Sequence, residues 1–108
     1  MRCKQLRMDL ETYAATESAE RLARVFKVLS VGTRVRIITL LRRKMYCVNA
    51  LARELQITPA AVSQHLRVLR DAGMVAPQKR GFHVHYRVSE STLAQWAEAI
   101  DTLLQGKR

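Results

Sequence analysis

Thr58-Pro59-Ala60-Ala61-Val62-Ser63-Gln64-His65-Leu66-Arg67-Val68-Leu69-Arg70-Asp71-Ala72-Gly73 specifies a helix with its own start, its own stop and two unlike faces. Thr58 offers a hydroxyl that can accept from the orphan N–H groups of a first turn. Pro59 suits the first helical position, where its missing N–H and fixed φ do no harm. Gly73 suits the left-handed residue just beyond a helix end. Between these signals Val62, Leu66 and Leu69 mark an apolar face. On the opposite side Ala60, Ser63, Gln64 and Arg67 recur at i, i+3, i+4 and i+7, a face of small and polar residues.

Upstream, Val48, Leu51, Ala52 and Leu55 repeat the helical spacing over a shorter stretch, so a third helix is expected to begin at Cys47. Gln56 and Ile57 leave room only for a tight connection. Two short helices joined in this way, the second well capped, form a helix-turn-helix. Further back, Ile37, Ile38 and Leu41 define a second helix, with Thr33 as its expected cap and the basic run Arg42-Arg43-Lys44 at its end. The first helix is expected from Glu17 to Ser30, with Leu22, Val25, Phe26 and Leu29 on one stripe. Downstream the period changes to two: Phe82, Val84, Tyr86 and Val88 alternate with His83, His85 and Arg87. Val75 to Lys79 can pair with that strand through a turn at Gly81, leaving Lys79 and Arg80 near a hairpin tip. Ser91 to Leu104 reads as a last amphipathic helix carrying Leu93, Trp96, Ala97, Ile100 and Leu104. The expected fold is therefore mainly α with a small β-hairpin: a winged helix-turn-helix of about five helices and a two-stranded wing. Residues 1–16 are expected to form an N-terminal arm, helical or irregular, and residues 17–108 a single winged helix-turn-helix domain for DNA binding and dimerisation.

Composition points the same way. The 108 residues include 19 Lys and Arg against 9 Asp and Glu, a formal charge of +10, which favours a polyanionic partner. No segment reaches the roughly 18 consecutive apolar residues of a membrane span, and Met1 to Thr16 has no apolar signal core. No membrane association is expected, and the protein is expected in the cytoplasm. Two cysteines, Cys3 and Cys47, are too few for a secreted disulfide framework and are expected as thiols. No Gly-rich phosphate loop follows a strand, and no nucleophile–base grouping emerges, so no enzyme is expected.

The partner best matched to the helix-turn-helix is double-stranded DNA. Small residues at the start of the outer face of the fourth helix permit close approach to base edges. Ser63 and Gln64 donate and accept hydrogen bonds there, and Arg67 reaches guanine or phosphate. With the residues that open and flank that helix and those of the hairpin, the expected DNA-contacting set is Thr58, Pro59, Ala60, Ser63, Gln64, His65, Arg67, Lys79, Arg80, His83 and Arg87. His83, His85 and Arg87 are all expected on the exposed face of the wing. His83 and His85 also form a two-residue metal-binding pattern, but no nearby Cys, Asp or Glu completes a ligand set, and no metal site is expected.

These residues resemble the ArsR/SmtB-type winged-helix repressors. The resemblance runs from Ala19 to Leu104. It rests on Val25-Phe26-Lys27-Val28-Leu29-Ser30, Thr33-Arg34-Val35-Arg36-Ile37, Val62 through Val75, and His85-Tyr86-Arg87-Val88, in that order and spacing. It implies a homodimer, joined through its first and last helices, that represses an operon from an inverted-repeat operator until an inducer binds. The apolar residues available for such an interface are Leu22, Val25, Phe26, Leu29, Leu93, Trp96, Ile100 and Leu104, more than one terminal helix face on a monomer needs. The sensing residues of the family match poorly. Many members carry Cys-Val-Cys-Asp at the third helix, where this chain has Cys47-Val48-Asn49-Ala50. Others hold zinc on the last helix, where the matching positions are Glu90, Thr92, Leu103 and Gly106.

Cofactor binding is accordingly not expected, with one candidate exception: thiol modification, or a metalloid, at Cys47, with Cys3 as a second candidate thiol. Cys47 follows Arg42, Arg43 and Lys44, and Cys3 lies between Arg2 and Lys4, so both sulfurs stand near positive charge. Against this stands the plain alternative that Cys47 is a small buried apolar residue. Two other readings remain beside the inducible repressor: a repressor with no metal or thiol sensing, and a winged-helix module for protein–protein assembly. The last would need an apolar outer face, whereas this one is basic and rich in small residues.

Overall fold

A computed structural model describes residues 10–106. Five helices and three short strands follow in the order α1 (Leu10–Leu29), α2 (Gly32–Leu41), β1 (Tyr46–Cys47), α3 (Val48–Leu55), α4 (Pro59–Asp71), β2 (Val75–Arg80), β3 (His83–Val88) and α5 (Glu90–Gln105). The core is the meeting place of α2, α3, α4 and the base of the sheet. Ile37, Leu51, Val62, Leu66, Leu69 and Met74 are its fully enclosed side chains. Val62, Leu66 and Leu69 are the apolar face read from the sequence of α4, and Leu51, Ala52 and Leu55 are that of α3. No charged or polar residue is buried among the described residues. Folding thus avoids the desolvation cost of interior charge, and the excess cations stay at the surface.

Several boundaries differ from the sequence expectation, each for a local reason. Helix α1 begins at Leu10 and not at Glu17, so the expected arm boundary falls inside a helix. The run Ala14-Ala15 has high intrinsic helix propensity, which a search for apolar stripes does not register. Thr33 does not cap α2. The N-cap is Val31, with no side-chain bond, and the junction is held instead by Arg34, whose Nε donates to the Val28 carbonyl at 2.8 Å. Helix α5 starts at Glu90 because Ser89 caps it, the Ser89 Oγ accepting from the Thr92 N–H at 3.2 Å.

The sheet has three strands in the order β1-β3-β2 and not two. Tyr46 pairs with Tyr86 and Cys47 with His85, so Cys47 closes a strand and is the N-cap of α3 rather than its first residue. The wing itself pairs Val75 with Val88 at its base and Arg80 with His83 at its tip, leaving Gly81 and Phe82 as a two-residue turn. Gly81 has φ +64, the sign that the first central residue of a type II′ hairpin turn requires. Pro77 sits in β2, an edge strand, where a missing N–H costs no ladder bond within the sheet.

The end of α4 sets where the wing begins. Gly73 (φ +79) donates to the Arg70 carbonyl at 2.9 Å, and Met74 N donates to the Leu69 carbonyl at 2.9 Å. This is a Schellman end, and it drops Met74, fully buried, into the core. At the other end of the helix, Thr58 Oγ1 accepts from Ala61 N at 3.1 Å, as the Thr-Pro signal requires. Leu66→Ala is expected to destabilise the protein by about 2–5 kcal/mol, because its cavity opens among enclosed neighbours. Thr58→Ala is expected to cost about 1 kcal/mol, the loss of one cap. Urea unfolding at fixed protein concentration checks both, with Leu66→Ala the larger effect.

Candidate nucleic-acid interface

The turn between α3 and α4 is built from an awkward residue. Gln56 adopts the left-handed conformation (φ 59, ψ 44) and ends α3, and Ile57 N donates back to the Ala52 carbonyl at 3.2 Å. A residue with a Cβ gives up roughly 1–2 kcal/mol in that region. Burial of Leu55 on one side and the Thr58 cap on the other hold it there. The result sets α4 across α3 with its polar face outward.

On α4, Ala60, Ser63, Gln64 and Arg67 are all exposed, as are Thr58 and Pro59, while His65 is half-buried. Among the described residues the side chains of Ser63, Gln64 and Arg67 make no hydrogen bond or ion pair, so their donors and acceptors are available to a partner. No acidic residue stands in the first turn of α4, which leaves the positive end of the helix dipole unopposed. The expected face therefore exists, with its hydrogen-bonding capacity intact. In the wing, Lys79, Arg80, His83 and Arg87 are exposed, as expected, and Arg80 Nη1 lies 3.9 Å from the Met45 sulfur.

Three wing residues do not lie where the alternation places them. His85 is half-buried, and its Nδ1 is enclosed with no hydrogen-bond partner. The cause is β1, which the sequence reading lacked: it extends the sheet beside β3, and the side of His85 then shares a cavity of about 320 Å³ with Cys47, Ala50, Arg53 and Glu54. His83 stays outside, its ring centroid 6.5 Å from that of His85. The apolar side of β3 is buried only near its base. Val88 is buried and Tyr86 half-buried, but Val84 is 44% exposed and Phe82 102% exposed. The outer half of the hairpin projects past the helices, so no described residue covers it. An exposed aromatic residue at the wing tip is the feature that the sequence reading missed. The signal was present in Arg80-Gly81-Phe82-His83, where the turn glycine places Phe82 outside the paired strand.

Of the candidate thiols, Cys47 is half-buried and free, and Cys3 lies outside the described residues. Among the described residues no three His, Cys, Asp or Glu side chains gather into a metal-binding group. The eight residues expected at a subunit interface lie on α1 and α5. No residue of α5 is buried, although Leu93 and Trp96 pack partly against the core, as does Leu29 of α1. Phe26 is 41% exposed and Leu104 75%. A groove of about 630 Å³ runs between these two helices and the back of α4, lined by Val25, Val28, Val68 and Trp96 with Arg21 and Arg24.

A helix-turn-helix with an open recognition face, followed by a basic hairpin, defines a winged helix-turn-helix DNA-binding transcriptional regulator. Comparison with known proteins gives the family. The family model described as bacterial regulatory protein, arsR family, matches residues 32–76. The arsenical resistance operon repressor of Escherichia coli is 37% identical over 78 residues, covering 71% of this chain and 67% of that protein. The transcriptional repressor SmtB of Mycobacterium tuberculosis is 32% identical over 78 residues, covering 72% of this chain, and the chain spans only 58% of its length. An ArsR-like transcriptional regulator from a Rhodococcus species superposes with a TM-score of 0.72 at 30% identity, covering 83% of this chain and 85% of that one. The chain belongs to the arsR family of bacterial regulatory proteins.

Proposed function

We propose that this protein is a transcriptional repressor that binds an inverted-repeat operator in double-stranded DNA as a homodimer, in the cytoplasm. The observation that carries the reading is the face of α4: Ala60, Ser63, Gln64 and Arg67 exposed, unpaired and flanked by a basic wing. Ser63 and Gln64 read base edges in the major groove, Arg67 takes a guanine edge or a phosphate, and the start of α4, at Thr58 and Pro59, meets the backbone. His65, being half-buried, sits at the margin of the contact. Lys79, Arg80, His83 and Arg87 carry the wing along the neighbouring phosphates or minor groove. The repressor names of its relatives support this direction of control. Among the described residues no helix is long and apolar enough to cross a membrane.

The DNA contacts divide into two kinds with different signatures. Gln64→Ala and Ser63→Ala are expected to reduce the preference for specific over random duplex, by about 1–3 kcal/mol for a lost bidentate contact. Arg80→Ala is expected to weaken binding to all sequences alike and to flatten the dependence of log affinity on log salt by roughly one unit. Fluorescence anisotropy over a salt series separates them. Unchanged specificity in both α4 variants removes the recognition-helix assignment.

Dimerisation rests on apolar residues that the monomer leaves exposed or only half-buried: Leu22, Val25, Phe26 and Leu29 on α1 with Leu93, Trp96, Ile100 and Leu104 on α5. An isologous contact between these helices buries them and sets two recognition helices about one duplex turn, roughly 34 Å, apart. Sedimentation at micromolar concentration is expected to give a dimer, and Leu104→Glu with Phe26→Glu a monomer. A wild-type monomer at that concentration contradicts the proposal.

A thiol switch at Cys47 is the inducer reading that geometry favours. Cys47 ends β1, caps α3 and lines the same cavity as His85 of the wing. Modification of its sulfur would enlarge a side chain lodged between α3, which supports the recognition helix, and strand β3 of the wing. Polysulfide treatment is expected to lower operator affinity of the wild type and to leave Cys47→Ser unchanged. Equal affinity of the wild type before and after treatment leaves a repressor without thiol sensing.

A further inference from the structure

The tip of the wing carries a side chain that neither the fold nor the turn calls for. A type II′ turn needs glycine at its first central position, which Gly81 supplies, and sets no demand on the second. Phe82 occupies that second position with its ring 102% exposed, and Val84 behind it is 44% exposed. Lys79, Arg80 and His83 surround it, all exposed, with Arg80 and His83 directly opposite each other across the hairpin. Phe82 therefore forgoes all the free energy of burial while standing beside the two cations Lys79 and Arg80. Cations at that place draw the tip toward a polyanion, and they make a neutral apolar partner a poor occupant.

We infer that Phe82 is an apolar wedge that enters the minor groove beside each half-site and parts one base step, bending the operator. The inference rests on the operator-binding reading and adds to it a determinant of specificity. Minor-groove proteins kink duplex DNA by inserting apolar side chains between base steps, while flanking cations hold the backbone. The cost of unstacking depends on the step. Pyrimidine–purine steps part most readily, so Phe82 selects such a step at a fixed distance outside the major-groove contact of α4, with no hydrogen bond to a base. Each six-residue strand of the wing spans roughly 20 Å, long enough to place the tip in a groove that α4 does not occupy. Lys79 and Arg80 act as the backbone clamps on which the wedge pivots.

The test uses the full-length protein and a duplex selected from a random pool by the wild type, with 2-aminopurine placed at each step flanking the half-sites. Wild-type binding is expected to raise 2-aminopurine fluorescence at one step on each side and to shorten the end-to-end distance read by energy transfer. Phe82→Ala disturbs no buried contact, so its folding serves as an internal control. It is expected to abolish the fluorescence rise and the bend, and to lower affinity roughly tenfold when the step is pyrimidine–purine, with little loss when a stiff A-tract replaces it. Phe82→Leu, still a wedge, is expected to keep part of both signals. Arg80→Ala is expected to weaken binding at all salt concentrations while keeping the fluorescence rise in the bound complex. If the wild type binds its duplex without any fluorescence rise, or Phe82→Ala bends DNA as the wild type does, the wedge is overturned and operator binding stands. If the wild type selects no duplex at all, operator binding itself fails, and the wedge with it.

Discussion

The placement of the wing relative to α4 is set by the two residues that follow that helix. Gly73 turns the chain out of the recognition helix with a positive φ, and Met74 plugs the core. Their two carbonyls then tie down the far end of the wing: Ser89 N donates to the Met74 carbonyl at 2.7 Å, and Thr92 Oγ1 donates to the Gly73 carbonyl at 2.8 Å. The end of α4, the start of β2, the end of β3 and the start of α5 are thereby held at one point. A side chain at position 73 would lie 3.8 Å from Thr92 Oγ1, an ordinary contact, so space does not exclude it. The constraint is the backbone conformation, which residues with a Cβ adopt at a cost. The hub thus joins α4 to the wing and to α5 through one backbone bond and one side-chain bond.

Charge is organised around the same frame. Among the described residues the interior holds no charged group, and an exposed ion pair between Arg21 and Glu17, 3.5 Å apart, lies on α1, away from α4 and the wing. Such an exposed pair contributes little to stability. The cations of α4 and the wing are left without acidic partners, a state that repels itself in the free protein and is relieved on a polyanion. Stability therefore comes from the apolar contact of α2, α3, α4 and the sheet base, and affinity from charge that folding leaves unneutralised. The two requirements fall on opposite faces of the same helix, and this is why α4 reads so clearly in the sequence.

Legibility followed the density of constraint. Helix α4 was readable to its ends because Thr58, Pro59 and Gly73 each answer one local backbone demand, and its two faces follow from spacing alone. The outline of the wing was readable from period two, and Ala60, Ser63, Gln64 and Arg67 were found exposed as that reading required. Strand β1 was not legible: two residues carry no period, and Tyr46 and Cys47 become a strand only because β3 presents an open ladder beside them. That one omission also misplaced His85, whose exposure depends on whether a third strand and α3 cover its side. The misreading of Phe82 had another source. Alternation states which side of a strand a residue faces, but whether that side is covered depends on how far the hairpin extends beyond the helices, a matter of tertiary reach.

Strand β1 also changes how a signal could travel. Without it, Cys47 would belong to α3 alone, and a change at its sulfur would reach DNA only through α3 and its packing against α4. With it, the residue that caps α3 is also paired to His85 in the central strand of the sheet. One backbone position is then shared by the helix that supports α4 and by the strand that carries the wing. The unpartnered Nδ1 of His85 next to it marks a spot where polar groups are not fully satisfied, and buried polar groups left in that state are costly. A group added at Cys47 must find room in the cavity it shares with His85, Arg53 and Glu54 or push β1 away from α3. The second response would move the wing relative to α4. Gly73 and Met74 hold the base of the same hairpin, and β1 pairs with His85 and Tyr86 midway along β3, so a displacement of β1 would act on the wing between its base and the tip where Phe82 stands.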